Sequence, residues 1–306
     1  MAIGVAPGTP QYSGNFIPEI WSGKLLVKFY AATVSAAICN TDYEGEIKDV
    51  GDVVQIRTVP DIVIRNYVKN QSLQIQRPDS PKKDMPIDKA KYFNFICDDI
   101  DKHQTDVGLM DSWSRDASQQ MKIEVDEEFL ADVYSDADSS NQGITAGVKS
   151  GDIDLGISNY PAIITKATVL DFLVDVGTVM DEQNVPEESR WAVIPPWFAE
   201  MIKKSDLKDA SLAGDGTSIM RNGRIGMIDR LTIYVSNLLN SQADGSYTTY
   251  DAIAGHKSAI SWASQMTKME SLRAESTFGT LVRGLNVYGY KVLKEESLCW
   301  LYIARG

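Results

Sequence analysis

The sequence predicts an α+β protein in which a long basic hairpin is followed by a long acidic helix and then by a mixed α/β body. Three observations carry this reading. Apolar and polar residues alternate through Val53–Val59 and again through Tyr92–Cys97, bracketing a polar, proline-bearing stretch. Apolar residues then recur at every fourth position from Leu109 to Val133. Finally, helical and strand-like patterns are interspersed from residue 161 onward. Charge divides the first two elements: residues 52–91 hold eight Lys/Arg against five Asp, whereas residues 101–138 hold eleven acids against three bases. The whole chain has a net charge of −12 over 306 residues.

The elements follow in order. Residues 1–16 are rich in Gly, Pro and Ser and read as an extended arm. Pro18 suits the first turn of a helix over Glu19–Ile38, where Trp21, Leu25, Leu26, Phe29, Tyr30 and Thr33 fall at helical spacing. The arm and this helix form a first segment, 1–45.

The second segment, 46–98, is an extended hairpin loop. Val54, Ile56 and Thr58 alternate, Ile62–Ile64 continues as a strand, and Pro60 breaks or edges the run between them. The distal part, Asn66–Met85, carries Pro78 and Pro81 and has little to bury. An arm of about 15 residues at roughly 3.3 Å each projects on the order of 50 Å. Such a hairpin cannot bury both faces against its own domain, which points to a neighbouring copy.

In the third segment, 99–160, Leu109, Trp113, Ala117, Met121, Val125, Phe129 and Val133 form the four-residue repeat. Four residues turn a helix by about 400°, so this stripe rotates by roughly 40° per step and offers successive stretches to different neighbours. A helix of about 29 residues, some 43 Å long, is expected to serve as a spine. Its acidic group Glu124, Asp126, Glu127 and Glu128 reads most simply as a solvated face. Residues 139–159, rich in Gly, Ser and Asp, read as a linker or long loop.

The fourth segment, 161–270, opens with a helix over Ile163–Gln183, then a short buried strand Trp191–Ile194 and a helix started by Pro195-Pro196 and running through Ile202. Arg224–Val235 reads as strand, turn and strand around Asp229-Arg230. Asn240–Tyr250 is expected as loop and Ala252–Glu270 as helix. The last segment, 271–306, carries strands Leu281–Val292 and Leu298–Ile303 that return to the first body.

Composition narrows the function. An acidic chain of pI 4.7 does not offer the broad basic surface that binds nucleic acid. Three widely separated cysteines read as buried thiols, because a zinc site needs paired Cys/His spacings. The first 14 residues have neither the basic nor the apolar part of a secretory signal, and no apolar run has the length of a membrane span. His103 and His256 have no ligand-spaced partners. His256-Lys257-Ser258 after Gly255 lacks the rest of a phosphate loop, and Gly214-Asp215-Gly216 and Gly223–Gly226 are turn glycines. No catalytic, cofactor-binding or metal-ligating set is assigned; a hydrolase would need a pocket with perturbed carboxylates that the sequence does not show.

Several stretches have a familiar wording. Asn184-Val185-Pro186 leads to Arg190-Trp191-Ala192-Val193-Ile194-Pro195, and Arg221-Asn222-Gly223-Arg224-Ile225-Gly226 precedes Val235-Ser236-Asn237. Ala254-Gly255-His256-Lys257-Ser258-Ala259-Ile260 and Gly279 to Tyr288-Gly289-Tyr290-Lys291-Val292 come later. In this order, behind the hairpin and the helix, they resemble the major capsid (coat) proteins of tailed bacteriophages, with the Hong Kong-97 phage-type (HK97-like) fold shared by encapsulins and herpesvirus shells.

The resemblance implies a structural role as pentamers and hexamers of an icosahedral shell around double-stranded DNA. It makes 46–98 the loop that overlaps a neighbour, 99–160 with 271–306 a peripheral domain, and 161–270 an axial domain. It also implies partners: further copies of the chain, a separate scaffolding protein, a portal protein and a decoration protein, with DNA enclosed without sequence-specific binding and no membrane. The expected location is the virion, and the host cytoplasm during assembly. An encapsulin-type compartment around an enzyme cargo is the alternative with the same fold. In either case Arg65, Lys69, Arg77, Lys82 and Lys83 of the hairpin are expected to meet Glu124, Glu127, Glu128 and Asp132 of a neighbour.

Overall fold

A computed structural model describes residues 31, 33–42, 53–60, 62–98, 109–205, 226–274 and 277–306. Among them are four helices: α1 (Ser35–Ile38), α2 (Leu109–Asp132), α3 (Val169–Glu182) and α4 (Pro196–Lys204). The strands are β1 (Val53–Arg57), β2 (Lys82–Pro86), β3 (Lys89–Asp98), β4 (Ala162–Ile164), β5 (Arg190–Ile194), β6 (Met227–Ile228), β7 (Leu231–Val235), β8 (Ser241–Asp244), β9 (Tyr247–His256), β10 (Ile260–Arg273), β11 (Gly279–Val292) and β12 (Leu298–Arg305).

Two larger sheets organise these elements, and β1 and β2 form a separate two-stranded ladder. One has three antiparallel strands in the order β10-β11-β3; the other has seven, running β4-β12-β9-β5-β7-β6 with β8 also on β9. In the larger sheet β5 is parallel to β7 and β12 to β4. Strands β9 and β12 belong to the larger sheet and β10 and β11 to the smaller, so the chain crosses between them at residues 257–259 and again at 293–297. The sheets therefore do not part at residue 270. Strand β11 does return to pair with β3, from Gly279 opposite Asp98 to Tyr288 opposite Lys89. Strand β12 instead lies between β4 and β9.

The stripe on α2 meets different neighbours along its length, as its rotation requires. Trp113 contacts Phe95 of β3 edge-on at 6.0 Å. Phe129, fully buried, meets Tyr290 at 5.1 Å and Trp262 at 5.8 Å, and Trp262 stacks on Tyr288 at 5.0 Å. Val133 and Tyr134 lie beyond the α-helix, in the 3-10 turn Val133–Asp136, where Tyr134 packs on Trp300 of β12 at 5.2 Å. The described α-helix, Leu109–Asp132, ends where the chain tightens into this turn before bending toward the larger sheet; residues 99–108 ahead of it lie outside the described residues.

Asp126 corrects the reading of the acidic group as a solvated face. It is fully buried, and its carboxylate accepts the N–H of Val34 at 3.0 Å and of Ser35 at 2.8 Å. It thereby caps α1, whose own N-cap residue makes no side-chain bond. Only the end of the expected helix Glu19–Ile38 is seen, as α1; residues 19–30 lie outside the described residues.

Four further expectations change. Ala252–Glu270 is not a helix but the end of β9, a crossing turn and most of β10. Asp251 to Gly255 are all buried, and a strand covered on both faces shows a continuous apolar run with no period of two. Asn240–Tyr250 is not loop but the β8–β9 hairpin, turning at Gly245 with φ +58. Ile163–Gln183 divides into β4 and α3, and Ile62–Ile64 forms no strand.

Helix α3 buries Phe172, Leu173, Val176, Val179 and Met180, a spacing that puts one face into the core against Phe198 of α4. Strand β5 is buried throughout between β9 and β7. Its Arg190 side chain is inaccessible to solvent; the guanidinium donates to the carbonyls of Pro186 and Val185 and pairs with Asp181 at 2.7 Å. Asp181 is shared with Arg230, which sits with Asp229 in the two-residue β6–β7 turn, both with positive φ. All three cysteines are buried and free.

Candidate assembly surface

The hairpin loop leaves the body through a short ladder. Strands β1 and β2 pair from Val53 opposite Pro86 to Arg57 opposite Lys82. A small core of Val54, Ile56, Met85, Ile87 and Ala263 fixes its base. Beyond Arg57 no strand is formed, although the register persists to the tip. Thr58 N–H donates to Pro81 O at 3.1 Å, Val63 N–H reaches the side chain of Gln76 at 3.0 Å, and Gln71 N–H closes the tip on Val68 O at 3.0 Å. These are the pairs the β1–β2 register predicts. Pro60, Pro78 and Pro81 lack the N–H donors that a continuous ladder would need. Asn70, at the tip, takes φ +67, a conformation that Asn tolerates.

This loop carries a row of uncovered apolar side chains. Val59, Ile64 and Ile75 are 90%, 89% and 91% exposed, and Ile62, Val63, Tyr67, Val68 and Leu73 are also exposed. So many exposed large apolar side chains gathered in one loop are unusual for a free surface. Arg65, Lys69 and Arg77 project among these residues, exposed and with no hydrogen bond or ion pair among the described residues.

The other expected interface residues are placed differently. Lys83 bonds Glu295 of its own chain at 3.0 Å, and Lys82 donates to Gln55 at 3.3 Å. Glu124, Glu128 and Asp132 face β3 and β11. Lys91 bonds Glu128 at 2.8 Å and Glu124 at 3.5 Å; Lys89 bonds Glu128 at 3.0 Å and Asp132 at 3.5 Å. Tyr288 and Tyr290 donate to Glu128 and Asp132, and Lys89 lies 4.6 Å from the Tyr290 ring centre. Asp136 continues the row with Lys291 at 2.8 Å. Of the four expected acids, Glu127 alone is exposed with no hydrogen bond or ion pair among the described residues.

The electrostatics follow from these contacts. Burial opposes ionisation of Glu128, but the hydrogen bonds from Lys91 and Lys89 outweigh it and hold the carboxyl below its ordinary range. The Glu128 bond raises Lys91. For Lys89, burial works against the charge, yet Tyr290 and Glu128 raise the ammonium overall. Burial pushes the Tyr290 hydroxyl up to about 12.

Lys89 and Lys91 were the residues missed as partners of the helix, and a signal for them exists. Glu124, Glu128, Asp132 and Asp136 recur every fourth position, parallel to Met121, Val125, Phe129 and Val133. Strand alternation puts Lys89 and Lys91 on one face with Phe93 and Phe95. Two matching stripes, one apolar and one charged, dock α2 on the smaller sheet. Among the described residues no cluster of three or more His, Cys, Asp or Glu has the arrangement of a metal site.

A two-sheet α+β body carrying a long helix and a projecting hairpin with nothing of its own to cover is the architecture of an HK97-like shell subunit. The family model described as phage capsid protein matches residues 83–301, and the chain belongs to that family. A structure from Mycobacterium phage Che8 is similar at 27% identity and a TM-score of 0.75, over 94% of this chain and 97% of that one. The capsid structure of cyanophage P-SCSP1u is similar at 17% identity and TM-score 0.72, over 99% and 98%, and the capsid of Ralstonia phage GP4 at 13% and 0.66, over 98% of each chain. The comparison with curated proteins returns no match. The chain is a structural major capsid protein.

Proposed function

We propose that the chain assembles as pentamers and hexamers into an icosahedral head enclosing double-stranded DNA, without catalysing a reaction. The observation that carries this reading is the hairpin loop, whose exposed apolar side chains are left uncovered by the described residues. Covering it on a neighbour gains roughly 25 cal/mol per Å² of apolar surface removed from water. Repeated around a closed symmetric shell, individually modest contacts suffice.

The loop bases Arg65, Lys69 and Arg77 set register against acids of the neighbour, with Glu127 the open acid of α2. Lys82, Lys83, Glu124, Glu128 and Asp132 act mainly inside the subunit, where their partners already lie. Exposed pairs contribute about 0–1 kcal/mol each, so the charges govern salt sensitivity and register while the apolar row supplies affinity. By its resemblance to coat proteins the chain works with a separate scaffolding protein, a portal protein and a decoration protein, assembling in the host cytoplasm. Segments 46–98, 99–160 with 271–306, and 161–270 would act as overlapping loop, peripheral and axial parts.

Negative-stain microscopy and size-exclusion chromatography of the protein, alone and with a candidate scaffold, test this. Closed shells, tubes or free capsomers are expected. A monomer or dimer under every salt condition would overturn the assembly, and an enzyme cargo in place of nucleic acid or scaffold would reassign the shell to an encapsulin-type compartment.

A further inference from the structure

The two segments that cross between the sheets are tied to each other. Leu293 and Lys294, on the second crossing, donate their N–H groups to Ala259 O of the first at 2.7 and 3.2 Å. The first crossing is itself a tight turn, with Ala259 N–H returning to His256 O at 2.8 Å and Lys257 N–H held by Ser189 O at 3.2 Å. Its side chains form a directed chain. Lys294 Nζ lies 3.4 Å from Ser258 Oγ, which lies 2.8 Å from His256 Nδ1, and Ser258 N–H donates to the same Nδ1 at 3.1 Å.

The directions are fixed by the donors. An ammonium only donates, so Ser258 Oγ accepts from Lys294 and turns its own hydrogen toward Nδ1. A backbone N–H also only donates, so Nδ1 accepts twice and carries no proton. That assigns the proton to Nε2. We propose that His256, Ser258 and Lys294 form an acid-released latch that holds the two inter-sheet crossings together while the imidazole is neutral.

Charge makes the release one-sided. Protonated Nδ1 would face two donors, beside Lys294 from the second crossing and Arg190 opposite it on β5. Of the acids near these segments, Asp181 is engaged by Arg190 and Arg230, Glu187 by Arg230 at 2.9 Å and Glu295 by Lys83, while Glu188 and Glu296 are solvent-exposed and form no ion pair among the described residues. Burial first, then Lys294, holds the ring below its ordinary value of 6.5. A base whose folded value is depressed stabilises the fold above its unfolded value. That contribution is lost as pH falls from 6.5 toward the folded value.

Pulsed hydrogen–deuterium exchange of the full chain, read on peptides spanning 257–261 and corrected for intrinsic exchange, tests the latch. In the wild type, exchange should rise with acidification by up to roughly tenfold per pH unit below 6.5. His256→Asn supplies a neutral acceptor to the N–H two residues on and has nothing to titrate, so its exchange should stay flat. Ser258→Ala removes the hydroxyl link and should move the wild-type midpoint up toward the ordinary imidazole value. A flat wild-type profile, an Asn variant that follows the wild type, or an unmoved midpoint in Ser258→Ala would each overturn the proposal.

Discussion

Ser35 donates its backbone N–H to Asp126 Oδ1 at 2.8 Å, across 91 positions of sequence. With Val34 bound to the other oxygen, one buried carboxylate on α2 satisfies the start of α1. Asp126→Ala would leave two N–H groups without acceptors in a dry site. The expected loss is about 2–4 kcal/mol, read as a lower urea midpoint with an unchanged slope. Asp126→Asn keeps one acceptor and should lose less.

The Lys89–Glu128–Lys91 cluster makes stability depend on pH with a definite sign. Glu128 is held below its ordinary 4.5, so its contribution is full above that value and fades as pH falls through the folded one. Lys91 is raised above 10.5, so its share persists below that value and fades at higher pH. The groups are partly exposed, so the effect is at most about 1 kcal/mol. Denaturation of wild type and Glu128→Gln should differ near pH 7 and converge only as pH falls below 4.5 through the lowered folded value.

Removing a partner of Arg190 should cost more than removing Arg190 itself. Asp181→Asn strands a buried guanidinium, at about 3–5 kcal/mol, whereas Arg190→Met leaves an apolar side chain of similar length in its place. Thermal unfolding of the two variants should rank them in that order; the reverse order would show that Arg190 is held by the carbonyls of Pro186 and Val185 alone.

At Gly289 an added Cβ would lie 2.1 Å from Pro86 O, a backbone atom that cannot swing aside. Gly289→Ala should therefore force β2 from β11 and destabilise the protein by about 1–3 kcal/mol. Faster proteolysis at the base of the hairpin would localise the change.

Ile64→Ser with Ile75→Ser alters two side chains that are 89% and 91% exposed. Stability of the isolated subunit should shift by no more than about 0.5 kcal/mol, while sedimentation should show assembly abolished or strongly delayed. Normal shells from this variant would remove the apolar row from the interface.

The parts with a long regular signal were legible in the sequence. The four-residue stripe marked α2, Pro195-Pro196 marked the start of α4, and alternation marked β1 and β3. The α+β class and the shell-forming role followed from their order. What was hidden depended on tertiary context. Strand β9, covered on both sides, loses its alternation and mimics a helix; Asp126 looks solvated until Val34 and Ser35 are brought to it. The charge contrast between hairpin and helix was visible, but charge alone does not distinguish a partner in the same chain from one in the next. Lys89 and Lys91 are adjacent to α2 only because β3 returns beside β11.

The distal hairpin keeps its register without a ladder. Its reach is set by residue count, at about 40 Å from Arg57 to the tip, while the prolines leave few main-chain bonds to resist a change of inclination. It behaves as a tether of constant length on a compliant hinge. In the proposed assembly, one sequence would thereby grip neighbours arriving at unequal angles, and the curvature of the assembled surface would be taken up in the arm while the two sheets stay unaltered.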